Sequence, residues 1–191
     1  MKICFATNNQ HKLEEVRQIL GDRFDLLSLK EAGFEGEISE THETLEENSL
    51  EKAQYVFDRI QIPVFSDDSG LEVEALGGKP GVHSAHYAGT RDAAANMAMV
   101  LKELGSNPNR QAQFRAVVTY IDNNGHSQFD GIVEGSLTKA VQGKDGFGYD
   151  PIFVPQGYEN TFAELSAEIK NGISHRKRSV EKLAKHLKSI L

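Results

Sequence analysis

The chain has 191 residues, 39% of them hydrophobic and 26% charged, and a formal net charge of −7. That length suits one domain over residues 1–191 with a sizeable core, and the acidic balance argues against a broad nucleic-acid surface. A single cysteine, Cys4, excludes a disulfide framework. No apolar run approaches membrane-spanning length and no signal peptide precedes the first strand pattern, so a cytoplasmic protein without membrane partners is expected.

Residues 2–7 read as a strand with Cys4 in its apolar core. Residues 12–20 place Leu13, Val16, Ile19 and Leu20 at helical spacing. A short strand over 25–29 is followed by an acidic loop containing Gly33 and Gly36. A long helix is predicted over 45–61, with Leu45, Ser49, Ala53, Val56, Phe57 and Ile60 on one stripe and a Thr44–Glu47 capping box at its start. Residues 63–65 form a buried strand that delivers Asp67 and Asp68 to a turn, after which 71–75 resumes a strand. Gly77, Gly78, Pro80 and Gly81 make a loop, and 93–104 is helical. Strands over 111–122 and 126–137 flank Asn123-Asn124-Gly125, a hairpin signal. A second Gly-rich loop covers 143–150 and a short strand 151–154. The last helix has Val180, Leu183, Ala184, Leu187, Ile190 and Leu191 on its apolar face. Long hairpin strands among helices imply an α/β protein with a mixed sheet flanked by helices.

Four segments carry chemistry. Side chains alternate along an extended chain, so Asp67 and Asp68 point to opposite sides, one towards a cleft. Such a carboxylate suits a hard cation or activates water, whereas an Asx-turn closing a hairpin is the structural alternative. Thr7-Asn8-Asn9-Gln10-His11-Lys12 joins a strand to a helix, where backbone amides and a lysine can seat a phosphate; capping by Asn8 or Asn9 explains the same residues. In Gly146-Phe147-Gly148-Tyr149-Asp150-Pro151, Phe147 can stack on a flat ligand, or both rings can pack on the core. Ser174-His175-Arg176-Lys177-Arg178 puts cations in a helix's first turn, against the macrodipole, and an anion there would relieve the misfit. Lys170 lies just upstream. Residues 31–51 hold Glu31, Glu35, Glu37, Glu40, Glu43, Glu46, Glu47 and Glu51 with no Lys or Arg, while the C-terminal segment is basic. Either two solvated helix faces or the acidic and basic walls of one cleft account for this. Together the segments suggest a nucleoside polyphosphate site that lacks a P-loop.

Thr7-Asn8-Asn9-x-x-Lys12, Ser66-Asp67-Asp68-Ser69-Gly70-Leu71, Leu76-Gly77-Gly78-x-Pro80-Gly81, Phe147-Gly148-Tyr149-Asp150-Pro151 and Ser174-His175-Arg176 occur in that order. Over residues 2–191 the chain resembles the inosine triphosphate pyrophosphatase, or Ham1, family. The resemblance implies an elongated, two-lobed single domain with a central cleft, a homodimer, and Mg²⁺-dependent hydrolysis of ITP, dITP and XTP to the monophosphate and pyrophosphate. Carried over residue by residue, Thr7, Asn8, Asn9, Gln10, His11 and Lys12 would hold the triphosphate. Asp68 would be proton acceptor and metal ligand, with Glu40 the second metal-binding carboxylate and Ser69 a substrate contact. Phe147, Gly148, Tyr149 and Asp150 would cradle the base, with Lys170, His175 and Arg176 completing the pocket. Two positions depart from the family pattern: Asn8 stands where many relatives have glycine, and His86 where they often have arginine. The competing expectations are a pyrophosphatase of the related Maf type and a nucleotide-binding regulatory module without turnover.

Overall fold

The computed structural model describes residues 1–36 and 38–190, and the side chains of His11 and Asp22 lie outside that description. The expectations placed on Glu37, Leu191 and the His11 side chain therefore fall outside the described residues. Strands β1 (Lys2–Phe5), β2 (Asp25–Leu27), β3 (Val64–Val73), β4 (Gln111–Asp122), β5 (Gly125–Leu137) and β6 (Phe153–Pro155) form one sheet in the order β2-β1-β3-β4-β5-β6. β1 runs parallel to β2 and β3, and β5 antiparallel to β6, so the sheet is mixed as expected. The helices are α1 (Gln10–Leu20), α2 (Leu45–Ile60), α3 (Ala93–Leu104), α4 (Ala167–Ile173) and α5 (His175–Ser189). None of the described helices is long and apolar enough to cross a membrane.

The chain divides into two compact units, one built from Met1–Asp68, Ala116–Gly131 and Arg176–Leu191, the other from Ser69–Arg115 and Ile132–His175. In the first unit, the period-two alternation of the strands sorts side chains onto two faces. Ile3, Phe5, Phe65, Val118 and Tyr120 join Leu13 and Val16 of α1 and Val180, Leu183 and Leu187 of α5. Cys4, Ala6, Val64 and Ile121 join Ala53 and Val56 of α2. Cys4 is wholly buried, and desolvation pushes its thiol pKa up to about 12, which keeps it inert. The second unit packs Leu71, Val73, Ala112, Phe114, Val133 and Phe153 against Met97, Val100 and Leu104 of α3.

Several predicted boundaries shift. The expected turn at Asp67–Asp68 is absent: β3 runs unbroken from Val64 to Val73, and both carboxylates lie inside the strand. The strand tolerates them because each is paired by a cation, a tertiary effect that overrides the low strand propensity of aspartate. α4, a seven-residue helix capped by Ser166, was not predicted, and it carries Lys170. The short strand expected over 151–154 begins later, after a 3₁₀ turn over Asp150–Ile152. Ile190, placed on the last helix's apolar face, lies beyond α5 and is 46% exposed. The Thr44–Glu47 cap, α3 and the β4–β5 hairpin form as predicted, with Gly125 supplying a φ of 128° at the turn.

Candidate active site

Alternation along β3 decides the chemistry of the first unit. Phe65 faces α1 and α5, so Asp67 faces them too; Ser66 and Asp68 face α2. Asp67 accepts a hydrogen bond from Lys12 Nζ at 3.0 Å and from Arg176 Nε at 3.0 Å. Arg176 also donates through Nη1 to Glu15 of α1 at 2.5 Å. Arg176 and Asp67 are each 2% exposed, so this is a buried charge cluster. Burial alone would raise the Asp67 pKa, but Lys12 and Arg176 outweigh it and hold the carboxyl well below the usual range. Burial lowers the pKa of Lys12 despite Asp67.

On the other side of β3, Asp68 accepts from Lys52 Nζ at 3.4 Å, and the same ammonium is bonded to Glu40. Burial, aided by the nearby Glu40 carboxylate, lifts the Asp68 pKa above the ordinary carboxylate value against the pull of Lys52. Burial opposes the charge on Lys52, yet Asp68 and Glu40 together hold its pKa above the ordinary lysine value. The two neighbours on β3 are thus set apart electrically: Lys12 and Arg176 favour the ionised form of Asp67, and burial disfavours that of Asp68. Among the described residues no three His, Cys, Asp or Glu side chains converge as a metal cage. Mg²⁺, however, is commonly held by one or two carboxylates together with substrate phosphates. The oxygen donors of Glu40 and Asp68, gathered on one cationic centre, fit that requirement.

Upstream of Lys12, the strand-to-helix segment is organised by its own polar side chains. Asn9 caps α1 by accepting from Lys12 N at 3.2 Å, and Thr7 Oγ1 accepts from Asn9 N at 3.1 Å. Asn8 and Gln10 are exposed at the helix start. Asn8 does not adopt a positive φ, so its backbone does not call for a glycine. The capping explanation therefore holds for Asn9, and a cap does not preclude a phosphate seat at the same helix start.

In the second unit, Asp150 Oδ2 accepts from Phe147 N at 2.7 Å and from Lys170 Nζ. The Lys170 ammonium lies 4.3 Å from the centroid of the Phe147 ring, which is 53% exposed. Tyr149 turns the other way: it is 4% exposed and part of the core. The alternatives for the two aromatics therefore split, with one ring presented and one packed. Gly148 takes a φ of 61°, which lets the chain reverse between them. His175, 8% exposed, stacks on Phe114 with centroids 5.0 Å apart and planes 12° apart. Ser69, in β3, is half-buried.

The charge-run expectations also divide. Glu31 pairs with Arg17, Glu51 with Thr41, Lys182 with Asp130 and Lys177 with Glu181, as solvated faces do. Glu40 and Arg176 leave that pattern for buried or half-buried partners. The cationic first turn of α5 is answered in part by the protein's own Asp67 and Glu15, which the sequence did not reveal. Sequence reasoning also passed over Lys52 as a site residue. Its signal was a lysine on the apolar stripe of α2, one position before Ala53 and three after Ser49. His86 is exposed, with its ring 5.7 Å from that of His83.

The first unit thus offers two differently paired carboxylates on β3 and a capped helix start, features suited to a cation and an anion, and the second unit by itself offers an exposed aromatic ring with a lysine over it, suited to a flat ligand. The model of the Ham1 family matches residues 3–186. The dITP/XTP pyrophosphatase of Porphyromonas gingivalis is 48% identical over 184 residues, covering 95% of each chain, and that of Bacillus subtilis is 43% identical over 189 residues, covering 96% of each. Among solved structures, the Staphylococcus aureus Ham1 protein superposes with a TM-score of 0.93 at 36% identity over 100% of both chains. The chain belongs to the Ham1 family.

Proposed function

We propose that this protein hydrolyses ITP, dITP and XTP to the monophosphate and pyrophosphate, clearing them from the nucleotide pool. The observation that carries the reading is the opposite pairing of two neighbours on β3, Asp67 with Lys12 and Arg176 and Asp68 with Lys52 and, through it, Glu40. The relatives named dITP/XTP pyrophosphatases, matched over nearly the whole chain, support it.

Lys12 and the amides of the turn capped by Asn9, with Thr7, Asn8, Gln10 and His11, hold the triphosphate. Asp67 holds the Lys12 and Arg176 side chains in place. Asp68 orients a water towards the α-phosphorus and accepts its proton. Glu40 and Asp68 would hold Mg²⁺, which when bound neutralises phosphate charge and lowers the pKa of the attacking water. Oxygen from water joins the α-phosphorus, the bond from the α-phosphorus to the bridging oxygen breaks, and pyrophosphate leaves.

At the base end, Phe147 offers a stacking face, and Ser69, Gly148, Asp150, Lys170 and His175, all of the same unit, are the residues we assign to the base. A lysine is a donor only, so Lys170 suits a 6-keto oxygen. The 6-amino group of adenine would set donor against donor, a mismatch of large discriminating power. A homodimer in the cytoplasm is the setting that the family resemblance implies, and light scattering tests the dimer. The functional test is a panel of ITP, dITP, XTP, ATP, GTP and CTP with Mg²⁺, scored for pyrophosphate against phosphate. ITP, dITP and XTP should lead ATP by at least about 100-fold in kcat/KM. Equal rates on ATP and XTP, or release of phosphate rather than pyrophosphate, would refute the reading.

A further inference from the structure

Tyr149 stands in the middle of the Phe147–Asp150 turn, yet its side chain leaves that turn and enters the core beside Ile152 and Phe153. Its hydroxyl donates to the carbonyl oxygen of Ser84 at 2.8 Å. That carbonyl belongs to an unusually well-fixed segment. Ser84 Oγ accepts from Leu71 N of β3 at 2.9 Å and donates to Gly81 O at 2.6 Å, and Ser84 N donates to the same Gly81 oxygen at 3.1 Å. β3 comes so close here that a Cβ on Gly70 would overlap the Gly81 carbonyl. One turn on, Asn96 of α3 holds the chain from both sides: its Oδ1 accepts from Ala88 N at 2.7 Å, and its Nδ2 donates to Ala85 O at 3.2 Å. The seat is thus tied to both a central strand and a helix.

On its other side the turn is held through Asp150, whose carbonyl oxygen accepts from Ala163 N at 3.3 Å. Asp150 accepts from Phe147 N and Lys170, and its own N–H donates to Phe147 O at 3.2 Å. A Cβ on Gly146 would run into the Asp150 carboxylate, so the turn is tight. These bonds fix the shape of the platform and hold its Asp150 edge to α4 and Ala163. The inward ring and its hydroxyl hold it to the separate Ser84 segment.

We propose that Tyr149, through its hydroxyl on the Ser84 carbonyl, is a positioning residue that places the Phe147–Asp150–Lys170 platform and thereby sets discrimination among nucleobases without its side chain touching substrate. This rests on the function proposed above. A platform displaced by a fraction of an ångström loses alignment with the base while leaving the triphosphate grip unchanged. The effect therefore falls on KM and on base preference, not on the chemical step.

The test is Tyr149→Phe, which keeps the ring and removes only the hydroxyl. The KM for XTP should rise about 3–10-fold, the change that one net hydrogen bond supplies. kcat should stay within about twofold, and the XTP-to-ATP ratio of kcat/KM should fall by a similar factor to the rise in KM. Ser84→Ala, which unties the carbonyl from β3, should move KM in the same direction, and the double variant should fall short of the sum. Calorimetric binding of XMP, which needs no turnover, should weaken by the same factor in Tyr149→Phe. Wild-type KM and XMP affinity in Tyr149→Phe, even with a lowered melting temperature, would overturn the inference, as would a fall in kcat alone. A wild-type protein that binds XMP but releases no pyrophosphate from XTP would refute the proposed function instead; weaker XMP binding by the variant would then still support the positioning role.

Discussion

Asp67→Asn and Asp68→Asn change neighbouring residues by the same single atom and should have opposite consequences. Asp67 is buried between Lys12 Nζ and Arg176 Nε, each 3.0 Å away, and the Arg176 side chain is 2% exposed. The amide keeps one accepting oxygen but leaves two cations facing a neutral group. Removing one partner of a buried pair costs about 3–5 kcal/mol, and the retained oxygen places this case near about 3. For a chain of this size that lowers the melting temperature by about 6–12 °C. Asp68, by contrast, has its ionised form disfavoured by burial, and Lys52 keeps Glu40 when it is neutralised. Its amide should change stability by under about 1 kcal/mol while lowering kcat by about 10²–10⁴-fold. Urea unfolding followed by circular dichroism, paired with pyrophosphate release from XTP, reads both quantities. A stable Asp67→Asn, or an Asp68→Asn that is unstable yet active, would refute the reasoning.

The pH dependence of the same pair has a definite sign. The Asp67 pKa is depressed in the folded state, so its contribution is fully present above its unfolded value of about 3.9 and is lost as pH falls towards the folded one. The stability gap between wild type and Asp67→Asn in metal-free buffer should therefore be flat above about pH 5 and narrow below about pH 4; a gap that widens on acidification would contradict the assignment. Gly135 pairs with Pro155 across β5 and β6, where a Cβ would overlap the Val154 carbonyl oxygen and lie 2.7 Å from the Phe153 ring. Gly135→Ala should cost about 2–3 kcal/mol in urea unfolding, whereas an unchanged midpoint would mean that the strands can part at no cost.

The elements that the sequence made legible were those whose apolar period is long and clean. α3 and the strand pair around Asn123-Asn124 formed on their expected residues because local pattern and tertiary packing agree there. Asp67 and Asp68 were legible as chemistry but not as structure: two aspartates argue locally for a turn, and only Lys12, Lys52 and Arg176, distant in sequence, make them a strand. Alternation still assigned them to opposite sides, which is the fact on which the site turns. α4 escaped because seven residues of Ala-Glu-Ile-Lys-Asn-Gly-Ile hold too little apolar periodicity to register. Lys52 and Glu15 were silent for a related reason, since a charged residue inside a helix gives no local sign of being buried on a carboxylate or guanidinium. Tyr149 was read with its loop, and only the packed ring and the Ser84 carbonyl separate its role from that of Phe147.

The central claim is that water attacks the α-phosphorus and pyrophosphate is the leaving group. Hydrolysis of XTP in ¹⁸O-labelled water, with the products resolved by mass spectrometry, tests it without reference to any variant. The label should appear in XMP, with the released pyrophosphate unlabelled. Label in the pyrophosphate would place the attack on the β-phosphorus and contradict the account.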